Sequence, residues 1–205
     1  MILIGRTLSP FVRRTAATLN LLGLPYEHRA LSTATDLPAI QAANPLGRVP
    51  AMIMDDGEPL VDSIAILDAL DSLVGPDRAL VPASGPARLV VLRALALATG
   101  TLDKLVAAYQ EVKRRPAEFT WAEQAAKLSA QAAAGFAALD RLAPASGDGW
   151  LCGATLTQAD VTATCALDFA DIVLPDLVAG HLPALSALRD RANAIPAIGG
   201  TRWQG

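Results

Sequence analysis

The chain opens with Ile2-Leu3-Ile4-Gly5-Arg6-Thr7-Leu8-Ser9-Pro10-Phe11-Val12-Arg13-Arg14, and the reading of this stretch decides the fold. A short apolar run followed by turn residues predicts a brief buried strand. Ser9-Pro10 is a preferred helix start, with serine at the N-cap and proline at the first helical position. The strand therefore feeds a helix that runs to about Leu22, where Gly23 and Pro25 stop it. Working outward, Tyr26 to Ala30 reads as a second strand and Asp36 to Ala43 as a short helix closed by Asn44-Pro45. Ala51 to Met54 is a third strand, Asp55-Asp56-Gly57 a tight turn, and Pro59-Leu60-Val61 the returning arm of a hairpin. Asp62-Ser63 opens a helix in which Ile66, Leu67, Leu70 and Leu73 recur at helical spacing. The order β-α-β-α-β-β-α predicts a small sheet with parallel strands plus one hairpin, covered by helices.

A stretch rich in Pro, Gly and Ser follows, from Gly75-Pro76 to Gly85-Pro86, and reads as a linker. Beyond it the pattern is helical: Arg88 to Arg114, alanine-rich Thr120 to Leu142, Thr157 to about Val173, and Leu182 to Asn193. The expected organisation is an α/β domain over 1–76, a linker over 77–86 and an all-α domain over 87–205. At 52% hydrophobic and 18% charged residues, the 205-residue chain is too apolar for disorder. A formal net charge of -3 and 4% aromatic content argue against nucleic acid as a partner. The opening apolar run is too short for a signal peptide. Leu89 to Ala98, broken by Arg93, is too short to span a bilayer. Cys152 and Cys165 with His28 and His181 offer neither a disulfide framework nor a metal cluster. A cytoplasmic protein with no membrane partner and no metal is expected.

Several positions fit both a structural and a chemical role. Ser9 caps a helix, yet a hydroxyl among unpaired N–H groups at the positive end of a helix dipole also stabilises an anion. Asn44-Pro45-Leu46-Gly47-Arg48-Val49-Pro50 is a turn-rich connector. A cis Val49-Pro50 bond there would expose the Val49 backbone for pairing with a ligand. Asp62-Ser63 is a second N-cap, and its acid, hydroxyl and helix start together suit an amino-acid head group carrying both charges. Thr157-Gln158-Ala159-Asp160 is a capping box flanked by Leu156 and Val161, and reads as structural. Arg13 and Arg14 are expected on a solvated or ion-paired face. Tyr109, Phe119 and Trp121 are expected to serve packing, and the two cysteines to be buried small apolar residues.

Taken together these segments resemble the cytosolic glutathione transferase family. Thr7-Leu8-Ser9-Pro10-Phe11-Val12-Arg13-Arg14 is similar to the Ser-Pro-Phe-x-x-Arg start of its serine-type members. Asn44 to Ala51 is similar to its Asn-Pro-x-Gly-Lys/Arg-Val-Pro segment, and Leu60 to Ile66 to its acid/Gln-Ser-x-x-Ile element. Thr157 to Asp160 matches the capping box of its helical domain. The resemblance covers nearly the whole chain in the right order. It implies a thioredoxin-like first domain, an all-helical second domain, usually a homodimer, and glutathione as co-substrate with no separate cofactor. It also implies that Ser9 hydrogen-bonds the glutathione sulfur, Arg48 reaches the glycine carboxylate, Val49 before cis Pro50 pairs with the cysteinyl backbone, and Asp62 and Ser63 hold the γ-glutamyl end. A hydrophobic electrophile would meet Leu8, Phe11 and Tyr109. The implied activity is conjugation in detoxification, the alternatives being a non-catalytic binding or regulatory relative and a glutathione-dependent peroxidase or reductase. Aspartate at 62, where the family more often has glutamate or glutamine, implies a shorter or water-bridged contact. The absence of cysteine at position 9 argues against thiol exchange of the omega or beta type. The missing Ser-Ser-Cys start argues against maleylacetoacetate isomerisation.

Overall fold

Side chains alternate across the first strand, and this alternation sets the layers of the α/β unit. A computed structural model describes residues 1–145, 148–180 and 182–205, so His181 lies outside the described residues. Strands β1 (Ile2–Ile4), β2 (Glu27–Arg29), β3 (Ala51–Ile53) and β4 (Pro59–Val61) form one mixed sheet in the order β2-β1-β3-β4. β1 runs parallel to β2 and antiparallel to β3, and β3 and β4 form the hairpin. Leu3 and Met52, register partners, point to one face, where they join Val12, Ala16 and Leu19 of α1 (Pro10–Leu21) and Ile66 and Leu70 of α3 (Ser63–Val74). Ile4 and Ala51 point to the other face, against Ile40 and Ala43 of α2 (Leu37–Ala43). Each face of the short sheet is thereby covered, which is what an apolar β1 requires.

Packing divides the chain into Met1–Ala83 with Asn193–Gly205, and Ser84–Ala192. The closing stretch, read from sequence as part of the helical domain, packs with the first unit, through α8 (Pro196–Gly199) against α1. The stretch read as a linker is tied down: Asp71 accepts from the Leu80 and Val81 amides at 2.8 and 3.0 Å, and Arg78 donates to the Leu22 carbonyl.

The second unit holds α4 (Gly85–Tyr109), α5 (Ala122–Leu142), α6 (Gln158–Val173) and most of α7 (Pro183–Asn193). α4 packs on both α5 and α6, and α6 is buried from Gln158 through Ala170. Gly135 lets α5 approach α4 closely: a Cβ there would stand 2.1 Å from Thr101 Oγ1. The helix predicted to run unbroken to Arg114 widens into a π-helical turn at Gln110–Arg114. Among the described residues no helix is long and apolar enough to cross a membrane.

The capping box at the start of α6 is complete: Thr157 and Asp160 exchange side-chain-to-backbone bonds. Asp160, fully buried, also accepts from the Leu151 amide at 2.8 Å, so it fixes the preceding loop as well as the helix. Burial pushes its carboxyl up, against the pull of these donors.

Candidate functional site

Strand register brings three separate segments to one end of the sheet. Ile4, Ala51 and Val61 lie side by side across β1, β3 and β4. Because β1 and β4 point one way and β3 the other, the residues just beyond that row are Gly5 to Ser9, Val49-Pro50 and Asp62-Ser63. Ser9, Val49, Pro50, Asp62 and Ser63, far apart in sequence, therefore lie on segments that meet at one end of the sheet, and Arg48 precedes Val49 there by one residue.

Ser9 is the N-cap of α1: its half-buried Oγ accepts from the Val12 amide at 3.5 Å, the long limit of such a bond. A hydroxyl has one proton and two lone pairs. Capping occupies a lone pair and leaves the proton, which finds no acceptor among the described residues. The structural and the chemical roles of Ser9 are thus compatible. The turn that delivers it is closed by the Ser9 amide donating to the Arg6 carbonyl at 3.0 Å.

The Val49–Pro50 bond is cis, as the sequence suggested, and the Val49 amide and carbonyl bond to no other described group. Asn44 Nδ2 shapes the loop by donating to the Arg48 carbonyl at 2.8 Å. The Arg48 side chain is exposed and makes no ion pair or hydrogen bond among the described residues. Gly5 makes the close approach of Val49 possible. At φ +125 it occupies a backbone region foreign to L side chains, and a Cβ would fall 2.6 Å from Val12 Cγ2 and 2.8 Å from Val49 Cβ.

Asp62 caps α3, accepting from the Ile64 amide at 2.9 Å, and stands at φ 70 and ψ 128, the sole positive φ of a non-glycine among the described residues. Such a conformation costs about 1–3 kcal/mol and concentrates at functional sites. Ser63 is buried, and its Oγ accepts from Arg14 Nε at 3.2 Å and Nη2 at 2.6 Å. With its lone pairs facing Arg14, the Ser63 hydroxyl keeps its proton to donate.

Of the two expectations for the paired arginines, the solvated face is overturned. Arg13 and Arg14 are not solvated; they are 3% and 1% exposed. Arg13 donates to Asn193 Oδ1 at 2.9 Å and Thr201 Oγ1 at 3.3 Å, while Arg14 serves Ser63 and lies 5.5 Å from the Phe11 ring centroid. Their neighbours are distant in sequence, so a helical-wheel reading had no means to find them. Gly5, Arg6 and Arg14 are the site's supporting residues that sequence reasoning missed.

Leu8 and Phe11, both half-buried, flank Ser9, whereas Tyr109 lies in the second unit with its ring edge-on to Phe169 at 5.7 Å. Phe119 and Trp121 are exposed, and the nearby buried Glu111 accepts from the Trp121 amide and Arg115, which hold its carboxyl below the usual range. Cys165 is buried as expected; Cys152 is only half-buried, and burial raises its thiol. No group of three or more potential metal ligands occurs among the described residues.

Two family models match the chain: the glutathione S-transferase N-terminal domain over residues 3–78 and the C-terminal domain over residues 121–194. Among solved structures, a glutathione S-transferase of Methylobacillus flagellatus with GSH bound superposes with a TM-score of 0.88 at 25% identity, covering 98% of each chain. A glutathione S-transferase of Methylobacterium radiotolerans in complex with glutathione sulfonate gives 0.86 at 28% identity, over 100% of this chain and 96% of that one. A glutathione transferase family member of Pseudomonas fluorescens with bound glutathione gives 0.85 at 30% identity, over 100% and 99%. A curated relative, the uncharacterized GST-like protein YibF of Escherichia coli, is 30% identical over 123 residues, which is 58% of this chain and 58% of that protein.

Proposed function

Because the chain belongs to the glutathione S-transferase family, we propose that it binds glutathione at this end of the sheet and conjugates the glutathione thiolate to hydrophobic electrophiles, Ser9 stabilising the thiolate. The observation that carries this reading is the state of the Ser9 hydroxyl: capped through a lone pair, at a helix N-terminus, with its proton unclaimed. Three relatives of the same fold were solved with glutathione or glutathione sulfonate bound, which supports the ligand.

Each part of the tripeptide finds matching chemistry. The two backbone groups of Val49 offer a donor and an acceptor to the cysteinyl residue, in the manner of an added strand. The Ser63 hydroxyl and the α3 N-terminus suit the γ-glutamyl carboxylate, and the Asp62 carboxylate its ammonium. The exposed Arg48 suits the glycine carboxylate. A free thiol ionises near pKa 8.5. A hydrogen bond to the charged sulfur, about 1.5–3 kcal/mol, and the helix N-terminus, about 0.3–1, lower that by about 1–3 units. The thiol proton leaves to solvent. The sulfur lone pair then forms the S–C bond, and the electrophile's leaving group departs with its electron pair.

A homodimer working in the cytoplasm belongs to the same proposal, supported by exposed Leu89 and Val90 on α4. The test is to titrate the protein–glutathione complex, following thiolate absorbance, and to assay conjugation to an activated aryl halide. A thiol pKa near 6–7 with turnover supports the reading; retention on immobilised glutathione with neither thiolate band nor turnover identifies a binding protein instead.

A further inference from the structure

The segment carrying Ser9 is held on both flanks by the same distant stretch of chain. On one flank the Arg6 guanidinium lies 5.4 Å from the Trp203 ring centroid, within cation–π range, and donates to Ser32 Oγ at 2.9 Å. Ser32 is itself fixed, its amide donating to Asp36 Oδ2 at 2.8 Å and its Oγ accepting from the Ala34 amide. On the other flank, buried Arg13 binds Asn193 and Thr201. Between these anchors lies one turn, Arg6 to Ser9, closed by the Ser9 amide on the Arg6 carbonyl. The helix begins at once, with the Arg13 amide donating to the Ser9 carbonyl at 2.9 Å. Arg6 thus fixes Ser9 directly through its backbone, while its side chain is gripped by Trp203 and Ser32.

We propose that Trp203, acting through Arg6, is a positioning residue for Ser9: residues 193–203 brace the turn that aims the hydroxyl, so thiolate stabilisation depends on a ring nearly two hundred positions away. The inference rests on the functional reading above for its chemical consequence and on the turn geometry alone for the brace. The aim of a hydrogen-bond donor decides its strength, and a bond bent or lengthened by a loose turn loses much of its effect on a charged acceptor.

The test compares wild type, Trp203→Ala and Trp203→Phe, with Arg6→Lys as a second variant that keeps the charge and loses the guanidinium fork. In the ligand-free protein, amide hydrogen exchange at Ser9 reads the turn directly, because that amide is its closing donor. Trp203→Ala is expected to speed Ser9 exchange about three- to tenfold, leaving α5 amides unchanged, and Trp203→Phe to restore it. In the glutathione complex the same loss raises the thiol pKa by about half a unit to one unit and lowers kcat, with KM for glutathione within about twofold. Unchanged Ser9 exchange in both Trp203→Ala and Arg6→Lys overturns the brace, as does a uniform acceleration of all amides. If wild type binds no glutathione thiolate, the functional reading fails and the exchange comparison still decides the brace.

Discussion

Replacing Ser9 by alanine removes an oxygen with two separable jobs, and the geometry assigns each a size. As a cap, the oxygen accepts from Val12 at 3.5 Å, so its loss belongs at the low end of the N-cap range, about 0.5 kcal/mol. For a chain of 205 residues that is a fall in Tm of roughly 1–2 °C. As a donor to sulfur, the hydroxyl contributes about 1.5–3 kcal/mol, while the helix N-terminus persists in the variant. The bound thiol should therefore rise by about 1–2 pKa units and kcat/KM at pH 6.5 fall about 10- to 150-fold. The assay is a pH–rate profile beside a thermal melt. The ionising limb of Ser9→Ala moves to higher pH, and the two enzymes approach one another above the variant's thiol pKa. Ser9→Gly, a tolerated cap without a hydroxyl, behaves as Ser9→Ala in activity with a smaller change in Tm. A Ser9→Ala protein with the parental limb and rate refutes the role and turns attention to Thr7.

Three further outcomes follow from the same geometry. Arg48→Ala leaves Tm within about 1 °C, since the exposed side chain makes no ion pair or hydrogen bond among the described residues, and raises KM for glutathione about tenfold or more in steady-state kinetics. Asp62→Gly relieves a positive φ worth about 1–3 kcal/mol and loses a cap that glycine largely replaces, so stability by denaturant titration holds or rises while glutathione affinity by calorimetry falls about tenfold. Asp160→Ala strands buried donors on Thr157 and Leu151 and costs about 2–4 kcal/mol by denaturant titration, well beyond a simple cap; a loss under 1 kcal/mol contradicts the buried network.

Where the structural signal is local, the sequence declares it. Ser9-Pro10, the Asp55-Asp56-Gly57 turn and the Thr157–Asp160 box each work within a few residues, and each element stands where those residues put it. The three segments of the candidate site were legible as caps and turns, and the family resemblance joined them. Their convergence, however, is a fact of register, which no single segment carries. What stayed hidden depends on remote partners. Gly5 is required by Val12 and Val49, Arg14 is buried by Ser63, and Arg13 by residues near the other end of the chain. Asp62 takes a conformation usually left to glycine, which its identity does not advertise. At Gln110–Arg114 the apolar spacing reads as continuous helix because one π turn hardly alters it.

The Arg13–Thr201 contact joins residues 188 positions apart. During synthesis the sheet and its helices leave the ribosome before the helical unit does, but Asn193 and Thr201, the partners of buried Arg13, follow only after that unit. The guanidinium of Arg13 must wait in water, or on transient neighbours, while all of the helical unit is made. Final consolidation of the first unit therefore follows synthesis of the helical unit, and nascent chains stalled before residue 193 carry a first helix that packs on α3 and the sheet but lacks α8 and the partners of Arg13.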